Sequence, residues 1–180
     1  MVKSRREFLK GGSALLAGVA ISNMASPVVH AGSETPLKVG VIGVGWYGMV
    51  DARAALKVGG VEIAAICDVD SEHLEKSAGE LEQLQGKRPK TFKLYEDMLN
   101  QAELDAVIIA SPPHWHALHL LACLKHNLDV YCEKPLAYDI KEGQAMVAAV
   151  KRSGRIVQIG FQRRQHASFL EVREFIKSGQ

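Results

Sequence analysis

One short segment limits what this chain can fold into more than any other. Gly43-Val44-Gly45-Trp46-Tyr47-Gly48 fits G-x-G-x-x-G. Alone the pattern is weak. Here it directly follows an apolar run, Leu37 to Ile42, that reads as a buried strand. It also opens a helical segment, Tyr47 to Val58, which Gly59-Gly60 ends. A second apolar run, Val61 to Cys67, closes on Asp68, about 20 residues after the loop. Strand, glycine turn, helix, strand and acid in that order give each residue a task. Gly43 permits the tight turn, Gly45 lets the backbone approach a pyrophosphate, and Gly48 lets helix and strand pack closely. The helix N-terminus offers unbonded N–H groups and partial positive charge to phosphates. Asp68 suits the hydroxyls of an adenosine ribose and would repel a 2′-phosphate, so the pattern favours NAD over NADP. Arg88 lies too far along the chain to be an obvious partner for such a phosphate.

The rest of the chain keeps the same rhythm. Helices are expected over Ser71 to Leu84, with Ser71 as N-cap, and over Tyr95 to Asn100, Trp115 to His126, Asp139 to Arg152 and Ala167 to Ser178. Between them lie strand-like runs at Thr91 to Leu94, Asp105 to Ala110, Asp129 to Cys132 and Arg155 to Ile159. Strands alternating with helices of this length imply parallel pairing through right-handed crossovers. Runs such as Ala106-Val107-Ile108-Ile109-Ala110 imply burial on both sheet faces. The expected fold is α/β, a doubly wound, mostly parallel sheet of the Rossmann type.

Charge and composition exclude several functions. The formal charge of +2 comes from the N-terminus, where residues 1–31 hold Lys3, Arg5, Arg6 and Lys10 against Glu7. The remaining body carries 18 basic and 19 acidic side chains, a net of −1. With no basic stripe, nucleic-acid binding lacks electrostatic support. The three cysteines, Cys67, Cys123 and Cys132, are odd in number and show no metal spacing, and no structural disulfide is expected. Ser4-Arg5-Arg6-Glu7-Phe8-Leu9-Lys10, the short apolar stretch Ala14 to Ile21 and the small residues near Val29-His30-Ala31 follow the order of a twin-arginine export signal. Residues 1–31 are therefore expected to be a signal peptide and 32–36 a linker. Residues 37–160 are expected to form the dinucleotide-binding domain, and 161–180 to begin a connection beyond it. The expected location is periplasmic or otherwise exported, with the twin-arginine translocation machinery as a partner.

Two further segments follow strands and fall at the carboxyl edge of the sheet, where ligands bind in open α/β folds. They are Ser111-Pro112-Pro113-His114-Trp115-His116 and Glu133-Lys134-Pro135. With the glycine loop, and with Gly160-Phe161-Gln162-Arg163-Arg164 after the last strand, the chain resembles the Gfo/Idh/MocA family of oxidoreductases over about residues 36 to 180. The Glu-Lys-Pro triplet is the most specific mark. The resemblance implies NAD as cofactor and a carbohydrate substrate. It implies that Gly45, Trp46 and Tyr47 meet the pyrophosphate, and that Asp68 holds the adenosine ribose. Ser111, Pro112, Pro113, His114 and His116 would line the nicotinamide ribose and the cleft. Glu133 would contact the cofactor, Gln162 would border the nicotinamide, and Lys134 would reach the reacting hydroxyl. It also implies a C-terminal α+β domain, not contained in these 180 residues, that supplies most substrate contacts and the oligomer interface. On that view the 180 residues alone bind cofactor but turn over little.

Oxidising an alcohol removes a proton from oxygen while hydride leaves carbon. Lys134 either assists that proton transfer or stays charged and polarises the oxygen. Apart from the resemblance, the residues themselves favour a surface lysine paired with Glu133. His114, His116 and His119 invite a metal reading, but their spacing matches no common zinc pattern and two on one helix face make an incomplete set. No metal is expected. His116 is expected to line the cleft and His119 to be solvated or packed. Three functions fit: a sugar or polyol dehydrogenase, a glycoside hydrolase or lyase using tightly held NAD transiently, and a non-catalytic NAD-binding module.

Overall fold

The computed structural model describes residues 35–179. The expected export signal and most of the linker lie outside the described residues. Six strands form one all-parallel sheet: β1 (Leu37–Ile42), β2 (Val61–Cys67), β3 (Lys90–Phe92), β4 (Ala106–Ile109), β5 (Asp129–Glu133) and β6 (Val157–Gly160). Their spatial order is β3-β2-β1-β4-β5-β6. The chain turns outward from β1 in both directions, so the switch point lies between β1 and β4, where α/β sheets open a crevice. The helices are α1 (Trp46–Val58), α2 (Ser71–Gln85), α3 (Tyr95–Gln101), α4 (Pro113–Lys125), α5 (Ile140–Ser153) and α6 (Ala167–Ser178). A short 3₁₀ turn, Gln162–Gln165, precedes α6.

The two-residue period of a strand, shifted in β2 by an irregularity between Ile63 and Ala65, explains why both faces are apolar. Val39 and Val41 of β1, Ile63 and Ile66 of β2, and Ile108 of β4 pack with Met49 and Ala52 of α1 and Leu74 and Leu81 of α2. Ala65, Cys67, Val107 and Ile109 face the other way, into a second cluster with Met98 of α3, Leu120 and Cys123 of α4 and Met146 of α5. The three cysteines are free and buried, and burial pushes each thiol up to about 12, so they behave as small apolar groups. Among the described residues no helix is long and apolar enough to cross a membrane.

At two helix starts the structure differs from expectation. Asp70, not Ser71, caps α2: its Oδ1 accepts N–H bonds from Glu72 at 2.8 Å and His73 at 3.1 Å. Asp70 has the extended backbone a cap needs, and Ser71 is already helical. Helix α4 starts at Pro113 rather than Trp115, because proline fits the first helical position, where no N–H is required.

Candidate functional site

The glycine loop closes over the switch point by steric necessity. Gly43 takes φ +87°, and a Cβ there would lie 2.8 Å from the Ser111 nitrogen and 2.9 Å from the Ala110 carbonyl. A Cβ on Gly48 would overlap the Gly43 carbonyl oxygen. These two residues bring the start of α1 down onto β1 and β4. Gly45 differs: the nearest atom to a Cβ there is His73 Nδ1 at 3.9 Å, so the protein itself does not require the glycine. The space it leaves faces outward. Helix α1 has no side-chain cap and no acid in its first turn. Its N–H groups and positive end are therefore available to an anion. Trp46, its first residue, is 83% exposed.

Asp68 directly follows β2, beside this loop. Its Oδ2 accepts the Val44 N–H at 2.9 Å and its Oδ1 the Asp70 N–H at 3.0 Å. A carboxylate has about four lone-pair sites, so two remain for hydroxyl donors. Asp68 borders a cleft of about 280 Å³ with Gly43, Ser111, Pro112, Trp115 and His119. The cleft walls are largely apolar, as suits a flat ring beside a ribose. Arg88 pairs instead with Glu75 at 2.6 Å and Glu82 at 3.0 Å, on exposed positions.

The segment after β4 splits in two. Ser111 and Pro112 line the cleft, while His114 is exposed and leans on Trp115 and, edge-on at 6.5 Å, on Tyr138. His116 does not line the cleft as expected. It is 1% exposed, and its ring nitrogens lie 2.7 Å from the carbonyl oxygens of Ser111 and Pro135. It ties the loop after β4 to the loop after β5. The histidine at the cleft is His119. Its ring stacks on Trp115 with centroids 5.5 Å apart, meets Tyr95 edge-on at 4.4 Å, and shares a 2.9 Å hydrogen bond with the Ser111 hydroxyl. Burial, with His116 close by, pushes His119 down to about 4, so it is neutral at pH 7. Among the described residues no group of three or more His, Cys, Asp or Glu side chains converges as a metal set.

At the other end, Glu133 closes β5 and is buried, while Lys134 is exposed. The Lys134–Pro135 peptide is cis. The expected alternative for Lys134, an ion pair with Glu133, is not formed. Lys134 gives Glu133 its backbone N–H, at 3.2 Å to Oε2, and holds its Nζ 5.8 Å from the centre of the Tyr47 ring. Tyr47, Lys134, Phe161, Gln162, Arg163 and Arg164 line a second cleft. Gln162 donates its side-chain N–H to Glu133 Oε1 and, at 3.3 Å, to the Tyr131 hydroxyl. The glycine loop, through Tyr47, thus meets the Glu-Lys-Pro segment directly.

Sequence reasoning missed Asp51 and Tyr131. Tyr131 donates to Glu133 Oε1 at 3.3 Å. Asp51, one turn into α1, turns its carboxyl toward Glu133, and burial and that neighbouring charge push it up to about 7. Neither residue carries a motif, and an acid within a helix reads as a solvated position.

The residues present fit a dinucleotide: an uncapped helix N-terminus, a glycine whose missing side chain opens space, and an acid with spare lone pairs beside the same loop. Comparisons with known proteins agree. Residues 37–161 match the GFO_IDH_MocA family, described as an oxidoreductase family with an NAD-binding Rossmann fold. The chain is 35% identical over 145 residues to inositol 2-dehydrogenase 3 of Saccharopolyspora erythraea, covering 79% of this chain and 41% of that protein. It superposes on the crystal structure of myo-inositol 2-dehydrogenase from Lactobacillus plantarum with a TM-score of 0.73 at 32% identity, covering 81% and 42%. A scyllo-inositol dehydrogenase from Lactobacillus casei, crystallised with NAD(H) and scyllo-inositol, gives 0.72 at 25% identity, again covering 81% and 42%. The chain spans about two-fifths of the length of these relatives. It belongs to the Gfo/Idh/MocA oxidoreductase family and is an NAD-binding Rossmann domain of it.

Proposed function

We propose that this chain is the cofactor-binding part of an NAD-dependent oxidoreductase that acts on a hydroxyl of a polyol, sugar or glycoside. One observation carries the reading: Lys134 and Tyr47 of the glycine loop line one cleft, so the cofactor loop and a proton-handling lysine share one edge of the sheet. The inositol dehydrogenases among the relatives point the same way, toward a ring carrying several hydroxyls.

In this reading the first N–H groups of α1 hold the pyrophosphate, and Asp68 holds the adenosine ribose. Ser111 and Pro112 border the same cleft. Glu133 and Gln162 stand at the nicotinamide end. NAD, when bound, supplies a ring that accepts hydride. Lys134 holds the hydroxyl oxygen and assists departure of its proton, the half of the oxidation that a protein group must manage. The 180 residues alone bind NAD and turn over little, because orienting the substrate carbon is worth about 7–11 kcal/mol of barrier and needs contacts from elsewhere. Turnover of inositols, other polyols and glycosides by a protein of the relatives' length, with NADH read at each addition, tests the proposal. Net NADH from a polyol is expected. Turnover of glycosides without net NADH would contradict it.

Export through the twin-arginine route is a second proposal, supported by Arg5-Arg6, the apolar run and Ala31. Changing both arginines to lysine should retain the protein in the cytoplasm, and unchanged export would refute it.

A further inference from the structure

Two carboxyl groups meet behind Lys134, and their surroundings differ. Glu133 is 5% exposed and receives three donors: the Tyr131 hydroxyl and the Gln162 side-chain N–H at Oε1, and the Lys134 backbone N–H at Oε2. Donors of that kind stabilise the ionised form. Asp51 has the opposite setting. Its Oδ2 is closed off from solvent and has no hydrogen-bond partner, while the group it faces, Glu133, is another acceptor. Among the described residues, no lysine or arginine forms an ion pair with either carboxyl. A buried oxygen facing a carboxylate with no cation between them costs free energy that one proton removes.

We propose that Asp51, and not Glu133, holds the proton of an acid pair, donating it to Glu133 and so acting as a positioning residue for the carboxylate beside Lys134. The proton sits on the acid without donors and points to the acid with three. The pair then carries one negative charge instead of two. The other titratable groups facing it are Tyr131, which burial and the two acids hold in its hydroxyl form, and Tyr47, over whose ring Lys134 lies. The push on Asp51, to about 7, places loss of this proton near physiological pH. Above that point a second charge appears against Glu133, and the Gln162 and Lys134 contacts must readjust. The proposed role toward the nicotinamide end rests on the NAD reading above. The proton itself does not.

Carbon-detected NMR of the 180-residue chain, labelled at its carboxyl groups, tests this. The Asp51 carboxyl should titrate about three pH units above an ordinary aspartate, and the Lys134 backbone N–H and Gln162 side-chain N–H resonances should move with the same midpoint. Asp51→Asn keeps a donor toward Glu133 and cannot titrate, so in it those two resonances should lose that midpoint. An Asp51 carboxyl titrating below pH 5 would overturn the proposal, and needs no variant. So would a midpoint near 7 that persists at Lys134 in Asp51→Asn. Failure of NAD to bind the same wild-type sample would count against the cofactor reading alone, since the titration is measured without cofactor.

Discussion

At the β2 end of the sheet edge, Asp68 accepts two backbone N–H bonds, the cleft walls are mostly apolar, and the nearby histidine, His119, is neutral. At the β5 end, Glu133, Asp51, Tyr131, Gln162 and Lys134 crowd together, and two acids face each other. The first end is shaped to hold: its polar groups are fixed by backbone and have spare acceptors. The second, where we place the chemistry, sets an exposed lysine beside a network in which one buried carboxyl oxygen, Asp51 Oδ2, lacks a donor. The same strand-to-loop geometry built both. What differs is whether the carboxylate at the strand end takes its donors from the backbone alone, as Asp68 does, or largely from side chains, as Glu133 does.

The largest effect is expected at Lys134. In a protein of the relatives' length, Lys134→Ala should lower kcat by about 10²–10⁴-fold, the usual worth of a positioned acid or base. NAD affinity should change less than about threefold. Normal kcat would remove the chemistry from the β5 end.

Gly48→Ala strikes the junction of the two ends. The added Cβ must displace the Gly43 carbonyl. Such overpacking costs about 1–3 kcal/mol, and the displaced loop should lose NAD affinity with it. Denaturant unfolding with and without NAD measures both, and a variant as stable as the parent would show that the loop is not held as described.

Protons should distinguish the ends in opposite directions. His119 is lowered from 6.5 to about 4, so the folded state binds fewer protons there, and its contribution is lost as pH falls from about 6.5 toward 4. Asp51 is raised from 3.8 to about 7, so its contribution is present below about 4 and lost as pH rises toward 7. The two effects oppose each other across the same window. Asp51→Asn should therefore leave a chain whose stability falls on acidification by about 2 kcal/mol, allowing for partial screening of His119 at the cleft. His119→Phe should leave one that gains stability on acidification. Unfolding curves at pH 5 and 7 decide, and identical pH dependence in both variants would contradict the assignment.

The smallest effect belongs to Trp46. With 83% of its surface exposed, Trp46→Ala should change stability by no more than about 0.5 kcal/mol. A larger loss would mean that the ring is packed, not exposed as found.

These contrasts also show what a sequence can disclose. The glycine loop, Asp68, Ser111 and the Glu-Lys-Pro triplet were legible because each lies where a strand ends, and strand ends announce themselves by a change from apolar to Gly, Pro or charge. All six strands were found to within two residues at each end for the same reason. That His116 is sealed away from the cleft, while His119, packed as expected, borders it, was not legible. Both lie on the buried side of α4, and only the loop after β5, folded against it, decides which ring is sealed between two carbonyls. Asp51 was hidden for a similar reason: its partner lies 82 positions away, and nothing local marks an acid whose neighbour in space is another acid.

The proposed division of the edge into a holding end and a chemical end is tested most directly by one calorimetric series. NAD is titrated into the parent chain, Asp68→Ala and Lys134→Ala, with NADP into the first two. Asp68→Ala should weaken NAD at least tenfold and narrow the preference for NAD over NADP, while Lys134→Ala binds NAD within about threefold of the parent. Equal or tighter binding of NADP by the parent, or a greater loss of NAD affinity from Lys134→Ala than from Asp68→Ala, would contradict the account.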